Sequence, residues 1–199
     1  LIQLKKVLPE LIETRRHLHA HPELSGQEFQ TAALVAGELR SYGWQVREGV
    51  GRTGVVAQLG ESNCPLVGLR VDMDALPVEE RTGLEFESLR QGVMHACGHD
   101  LHVCIGLGVA RLLAAKLSDL SDVSIRLLFQ PAEEIASGAN WMRKDGATKG
   151  LKALFGVHVY PDLQVGQIGV RPGSLTAAAG ELEIEVVGDG GHGARPHQA

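Results

Sequence analysis

The chain is 199 residues long, 44% hydrophobic and 22% charged, enough to bury an ordinary globular core. Its net charge of −5 is carried by interspersed residues of both signs. That speaks against nucleic acid or an anionic membrane as partner, since both need a basic surface. No apolar run reaches the length of a membrane-spanning helix and no basic-then-apolar leader opens the chain, so neither a membrane segment nor a secretory signal is expected.

The first stretch carries apolar residues at Leu4, Val7, Leu8, Leu11, Ile12 and Leu18, a helical spacing that Pro22 should end. A second helix is expected over "EFQTAALVAGELRSYG", with Gly43 as its stop. Extended runs follow in "WQVRE", "GVVAQLG" and "CPLVGLRVDMD", the last an apolar strand ending in acid. "DLHVCIGLGVARLLAAKL" is the clearest helix, with Asp100 in the first turn, where the helix dipole favours a carboxylate. "VSIRLLFQPAEE" reads as a core strand running into a loop, and "ANWMRKDG" as a short helix with a glycine stop. "LKALFGVHVY" reads as a third core strand, carrying His158. This alternation indicates an α/β layer structure. Beyond about residue 171 the texture changes to an alternating strand over 181–187 and a glycine-rich turn, which places a domain boundary near Arg171–Thr176.

Three cysteines, Cys64, Cys97 and Cys104, make a poor disulfide framework and fit reduced thiols in a cytoplasmic protein. The nine histidines group at 17/19/21, 95/99/102 and 192/197, with His158 alone. Asp72 and Asp74, then Cys97, His99 and Asp100, then Glu133 and Glu134, then His158 all sit at or just after the ends of expected core strands. In an open α/β sheet those ends form the ligand crevice. Thiolate, imidazole and carboxylate together are the donors of zinc and its neighbours. Cys97 and His99 are spaced too tightly to close one structural tetrahedral site, and suit two adjacent metals instead. One carboxylate of the Glu133–Glu134 pair can then ligate while the other takes a proton from water. His17, His19 and His21 do not all face one way on a helix end, and are read as structural or supporting groups. "GDGGHGARPH" lacks the residues of a phosphate loop.

The motifs "RRHLHAHPELSGQE", "GLRVDMDALPVEE", "MHACGHDLHVCIGLGVA", "LLFQPAEE", "GVHVYPDLQVGQIGVRPGSLTAAAG" and "GGHGARPH" occur in this order. The chain thereby resembles the dinuclear-metal amidohydrolases of the aminoacylase and carboxypeptidase group of metallopeptidases. The nearest branch is that of hippurate hydrolase, N-acyl-L-amino-acid amidohydrolase and indole-3-acetyl-amino-acid hydrolase. The resemblance implies an α/β fold with a mixed-sheet catalytic domain of the zinc-dependent exopeptidase type, interrupted by an α+β lid domain. Residues 1–173 would be the first catalytic segment and 174–199 the beginning of the lid.

It further implies two divalent metal ions, zinc or manganese, with cobalt or nickel also accepted. Cys97 would bridge them, His99, Glu134 and His158 would be terminal ligands, and Glu133 the general base. Asp72 and Asp74 would support the site from behind the ligands, Asp74 the more important of the two. His102 would line the site, and His192 would meet the substrate from the lid, in some relatives from a partner subunit. A homodimer would form through that lid. A further metal-ligating histidine of the family lies beyond these 199 residues, so the segment alone is expected to be inactive. The expected activity is hydrolysis of the amide bond of small N-acyl amino acids. The alternatives are a dipeptidase or carboxypeptidase of the same family, and an inactive homologue that serves as a binding module.

Overall fold

In the computed structural model, which describes residues 2–61, 63–116, 122–175, 182–185, 187, 188 and 190–198, the chain divides into two units, 1–159 and 160–199. The first unit opens with α1 (Ile2–Ala20) and α2 (Phe29–Ser41). Gly43, at φ +85°, ends α2: its N–H reaches Arg40 O and that of Trp44 reaches Leu39 O, the paired bonds of a Schellman motif. Then come β1 (Gln45–Val50), β2 (Gly54–Leu59), β3 (Leu66–Asp72), α3 (His99–Ala114), β4 (Ser124–Gln130), α4 (Gly138–Lys144) and β5 (Leu151–Gly156).

The five strands form one sheet in the order β1-β2-β4-β3-β5. β1 and β2 pair antiparallel, as do β2 and β4, whereas β3 runs parallel to both β4 and β5. The sheet is therefore mixed, as the family resemblance implies. Alternation along its strands divides the core in two. Val55, Ala57 and Leu59 of β2, with Leu127 and Phe129 of β4, pack against Val35 and Leu39 of α2 and Val103 and Leu107 of α3. Val56 and Leu128, the intervening residues, join Met142 of α4 in a second cluster. α3 comes so close to the sheet that a Cβ on Gly106 would lie 2.9 Å from the Phe129 ring and 3.1 Å from Val71.

Among the described residues β5 lies at the edge of the sheet, exposed from Lys152 onward, Phe155 at 62%. It pairs with β3 alone, so its apolar composition does not bring burial among the described residues. It also ends two residues before His158, which lies in the segment that follows. The strand expected over 181–187 falls partly outside the described residues, and Leu182–Glu185 is not in a strand. In the second unit, Pro196–Gln198 forms a 3-10 turn.

The end of α1 is tied to the start of α3 by charge. The buried His19 ring stands between two carboxyl groups, Nδ1 2.8 Å from Asp100 Oδ2 and Nε2 3.0 Å from Glu80 Oε1. Arg15 Nε lies 2.7 Å from the same Asp100 oxygen, and its guanidinium stacks over Phe86. Asp100 thus occupies the first turn of α3 as expected, while its side chain faces α1. Hydrogen bonding to Asp100, outweighing burial and reinforced by Glu80, raises the His19 pKa above its ordinary 6.5.

Phe129 is fully buried between strands and α3. Phe129→Ala should cost about 3–5 kcal/mol in chemical denaturation, the usual range for emptying such a site. A raised histidine pKa stabilises the fold fully below the unfolded value near 6.5, and that contribution is lost as pH rises through the raised folded value. The denaturation midpoint should therefore fall across that window, and His19→Gln should make the fall smaller.

Candidate metal centre

The three parallel strands deliver their C-terminal ends to one edge of the sheet, with Asp72 of β3 level with Gln130 of β4. Met73–Asp74, Pro131–Glu134 and Val157–His158 leave from these ends. The fourth contribution is the segment entering α3, where Gly98 adopts φ +83° between Cys97 and His99. A Cβ there would lie 2.6 Å from Val159, so the approach of the two segments needs glycine.

Four of the five expected ligand and base positions meet around the fifth, His99. Donor atoms of Cys97, His99 and His158 lie within 4.8 Å of one another, and so do those of His99, Glu133 and Glu134. His99 donates from Nδ1 to the Asp74 carbonyl at 2.8 Å, which turns Nε2 into the cluster. That buried nitrogen has no hydrogen-bond partner, and lies 3.7 Å from Glu134 Oε1 and 3.9 Å from Glu133 Oε2. His158 likewise directs Nδ1 to the Val159 carbonyl, with Nε2 3.4 Å from Cys97 Sγ.

The turn bearing the two glutamates is held by Asp74. Its Oδ1 accepts the Glu133 N–H and its Oδ2 the Glu134 N–H, each at 3.0 Å, and Ser25 donates to Oδ2 at 2.6 Å. Burial opposes the Asp74 charge, but the His99 ring 3.4 Å from Oδ1 and the hydrogen bonds from Ser25 and these amides outweigh it and bring the carboxyl to about 2.

His102 stands apart from the open donors. Its Nδ1 lies 2.5 Å from Asp72 Oδ1, and its Nε2 accepts the Val159 N–H at 2.9 Å. With both nitrogens engaged, the ring supports the segment next to His158 even though it lies within reach of His99 and Asp72. Arg70 pairs with the other Asp72 oxygen at 2.7 Å and lies 4.0 Å from Glu133 Oε1. Burial raises the Asp72 pKa less than the His102 hydrogen bond and the His99 and Arg70 charges lower it, so the carboxyl titrates below its ordinary range.

The donor set is matched to a cation. Burial and the neighbouring Glu134 and Glu133 carboxylates push the Cys97 thiol up to about 12. Burial also raises Glu134, opposed by His99 and reinforced by Glu133 and Asp74. Glu134 Oε1 and His99 Nε2 are both buried without hydrogen-bond partners. Each of these penalties falls on an anionic or lone-pair donor, and a divalent cation would relieve them together. The backbone-anchored imidazoles supply the outer support that metal-binding histidines generally have.

Other expected residues lie elsewhere. His95 is buried with neither nitrogen hydrogen-bonded, its ring 6.4 Å from that of His19. His17 and His21 are exposed and stacked on each other. His192 belongs to the second unit, where it is exposed and accepts the Ala194 N–H at 3.2 Å. Sequence reasoning passed over Ser25, Glu28 and Arg70. Of these only Arg70, two positions before Asp72 on an apolar strand, carries a local sign of involvement.

Comparison with known proteins accords with this geometry. A probable hydrolase of Synechocystis sp. is 57% identical over 97% of this chain and 49% of its own length. The N-acetyl-L-cysteine deacetylase of Bacillus subtilis is 46% identical over 98% of this chain and 47% of its own. A solved Bacillus subtilis structure, described as a dinuclear metal binding peptidase from the M20 family, superposes with a TM-score of 0.80. It is 43% identical and covers 84% of this chain and 47% of its own. The chain thus spans about half the length of the curated relatives it matches. Residues 68–197 match the model described as Peptidase family M20/M25/M40. With Asp72 and Asp74, the α3 entry, the paired glutamates and His158 all inside that span, the chain belongs to the M20/M25/M40 peptidase family.

Proposed function

We propose that the protein hydrolyses the amide bond of N-acyl amino acids, such as N-acetyl, benzoyl or auxin-type conjugates, releasing carboxylic acid and amino acid. The observation that carries this reading is the turn at Glu133–Glu134, pinned by Asp74 and facing Cys97, His99 and His158. The deacetylase relative acts, by its name, on an N-acylated amino acid. In the proposed assignment Cys97 would be a ligand common to two divalent cations, a reading supported by its place beside His99 and His158. His99, Glu134 and His158 are terminal ligands. Zinc, manganese, cobalt and nickel all suit these donors.

When bound, such a pair of cations supplies Lewis acidity to the acyl carbonyl and makes water acidic enough to attack at neutral pH. The chain's own residues do the remainder. Glu133, 38% exposed at its side chain, is reachable by water and takes its proton. The same carboxyl then delivers that proton to the amine nitrogen as the C–N bond breaks. Asp74 keeps Glu133 and Glu134 in fixed relation, and His102, held by Asp72, keeps the His158 segment in place.

In this reading residues 1–173 are the first segment of the catalytic domain and 174–199 the start of a lid. His192 contacts substrate from that lid, which also carries a homodimer contact.

Glu133→Gln in the full-length protein should keep two metals per chain by elemental analysis while turnover drops by ~10²–10⁴-fold, the usual worth of a general base. Wild-type turnover in that variant would remove the base assignment. Cys97→Ser should retain fewer than two metals, whereas two retained at wild-type affinity would remove the bridge. A panel of N-acyl amino acids against dipeptides, run with defined metal, should favour the former; a preference for dipeptides identifies a dipeptidase instead.

A further inference from the structure

Glu28 belongs to none of the groups assigned above, yet it is fully buried and spends its carboxyl group on the loop that carries the paired glutamates. Its Oε1 accepts the Ala132 N–H at 2.8 Å, from a residue 104 positions away, and the Gly26 N–H at 2.8 Å. Its Oε2 accepts the hydroxyl of buried Thr53. Glu28 sits at the N-terminal end of α2 without capping it, so the side chain is committed to these partners rather than to its own helix.

What it holds is unusual. Ala132 lies between Pro131 and Glu133 at φ +49°, fully buried, in the left-handed region that a residue with a Cβ seldom adopts. Such a conformation persists only where the surroundings enforce it. The Ala132 carbonyl accepts the N–H groups of Ser137 and Gly138, while its own N–H goes to Glu28. The next two N–H groups, of Glu133 and Glu134, go to Asp74. Three successive amides therefore end on two carboxyl groups, an arrangement like an anion-binding nest whose anions come from the protein itself. Asp74 fixes the second and third amides. Glu28 fixes the first, at the residue whose φ decides how the chain leaves β4.

The geometry points to Glu28 as a positioning residue that holds Ala132 left-handed and thereby aims Glu133 and Glu134 at the metal centre. The inference takes the roles of those two glutamates from the proposed function. It predicts that relieving Ala132 of its Cβ compensates for losing Glu28, because glycine adopts the left-handed region freely.

The test uses the full-length protein, with zinc affinity of the metal-stripped form read by titration alongside kcat and KM. Glu28→Ala should weaken zinc binding and lower kcat by ~10–100-fold each, the scale typical of lost outer-shell support. KM should stay within about twofold, as expected when a group acts on turnover rather than ground-state binding. Glu28→Gln, whose amide oxygen can still accept both N–H groups, should stay near wild type. Ala132→Gly added to Glu28→Ala should recover about tenfold of the lost affinity, following the same outer-shell scale. Lower thermal stability with unchanged zinc affinity and kcat, or no recovery on adding Ala132→Gly, would overturn the proposal. Should Glu28→Ala fail to fold, Glu28→Asp, shorter by one methylene, must show the same loss and the same recovery, and wild-type values there overturn it equally. Zinc affinity is read without substrate. A wild-type protein that binds metal but cleaves no acyl amino acid would therefore refute the proposed activity and leave Glu28 judged on affinity alone.

Discussion

The first unit depends on one buried carboxylate. Asp74 leaves the end of β3 and gathers the amides of Glu133 and Glu134 from the end of β4, while its own carbonyl takes the Nδ1–H of His99 at the start of α3. Three elements distant in sequence are thus referred to a single residue. The sheet brings them near each other, but the parallel register leaves each loop free to turn. Hydrogen bonds to a charged acceptor are stronger than neutral ones and directional, so they fix what packing leaves loose. The depressed pKa of Asp74 is the same fact in electrostatic form, since three hydrogen-bond donors and the adjacent His99 ring stabilise its anion against burial.

Around that anchor the site collects like charges. Asp72, Asp74, Glu133 and Glu134 stand close together, with Arg70, His99 and His102 among the nearby basic groups. Concentrating anions is costly to the fold, and functional sites are where such costs are commonly borne. The division of labour is visible in the partners. Asp72 and Asp74 have their oxygens committed to histidine, arginine, serine and amide donors. Glu134 Oε1 and His99 Nε2 have no hydrogen-bond partner and, unlike Asp72 Oδ2 with its Arg70 ion pair, no arginine beside them.

Much of this was legible in the sequence, for reasons that can be stated. Adjacent glutamates after an apolar strand, and a Cys-x-His pair before an apolar helix, are local patterns that need no tertiary knowledge. The strand ends were readable because buried parallel strands are nearly continuous in apolar residues. β5 has the same apolar composition in Leu151, Ala153, Leu154 and Phe155, and among the described residues only β3 pairs beside it. Glu28 was illegible because its partner Ala132 is far away in the chain, and because the decisive property of Ala132 is a backbone angle. His102 was ambiguous until its two neighbours, Asp72 and the Val159 amide, were located.

The commitment of both His102 nitrogens has a consequence for the kind of metal site the fold can build. Within a few ångströms of His99 there is another imidazole that could have completed a closed set of protein donors. Because Asp72 and the Val159 backbone occupy it, that imidazole is withheld. Structural zinc sites saturate the ion with side chains, whereas sites that exchange ligands keep a coordination position open for water or substrate. The hydrogen bonds that make His102 a support thus also ration the imidazoles left to face the cluster, so that of the two rings His99 alone presents a free nitrogen there.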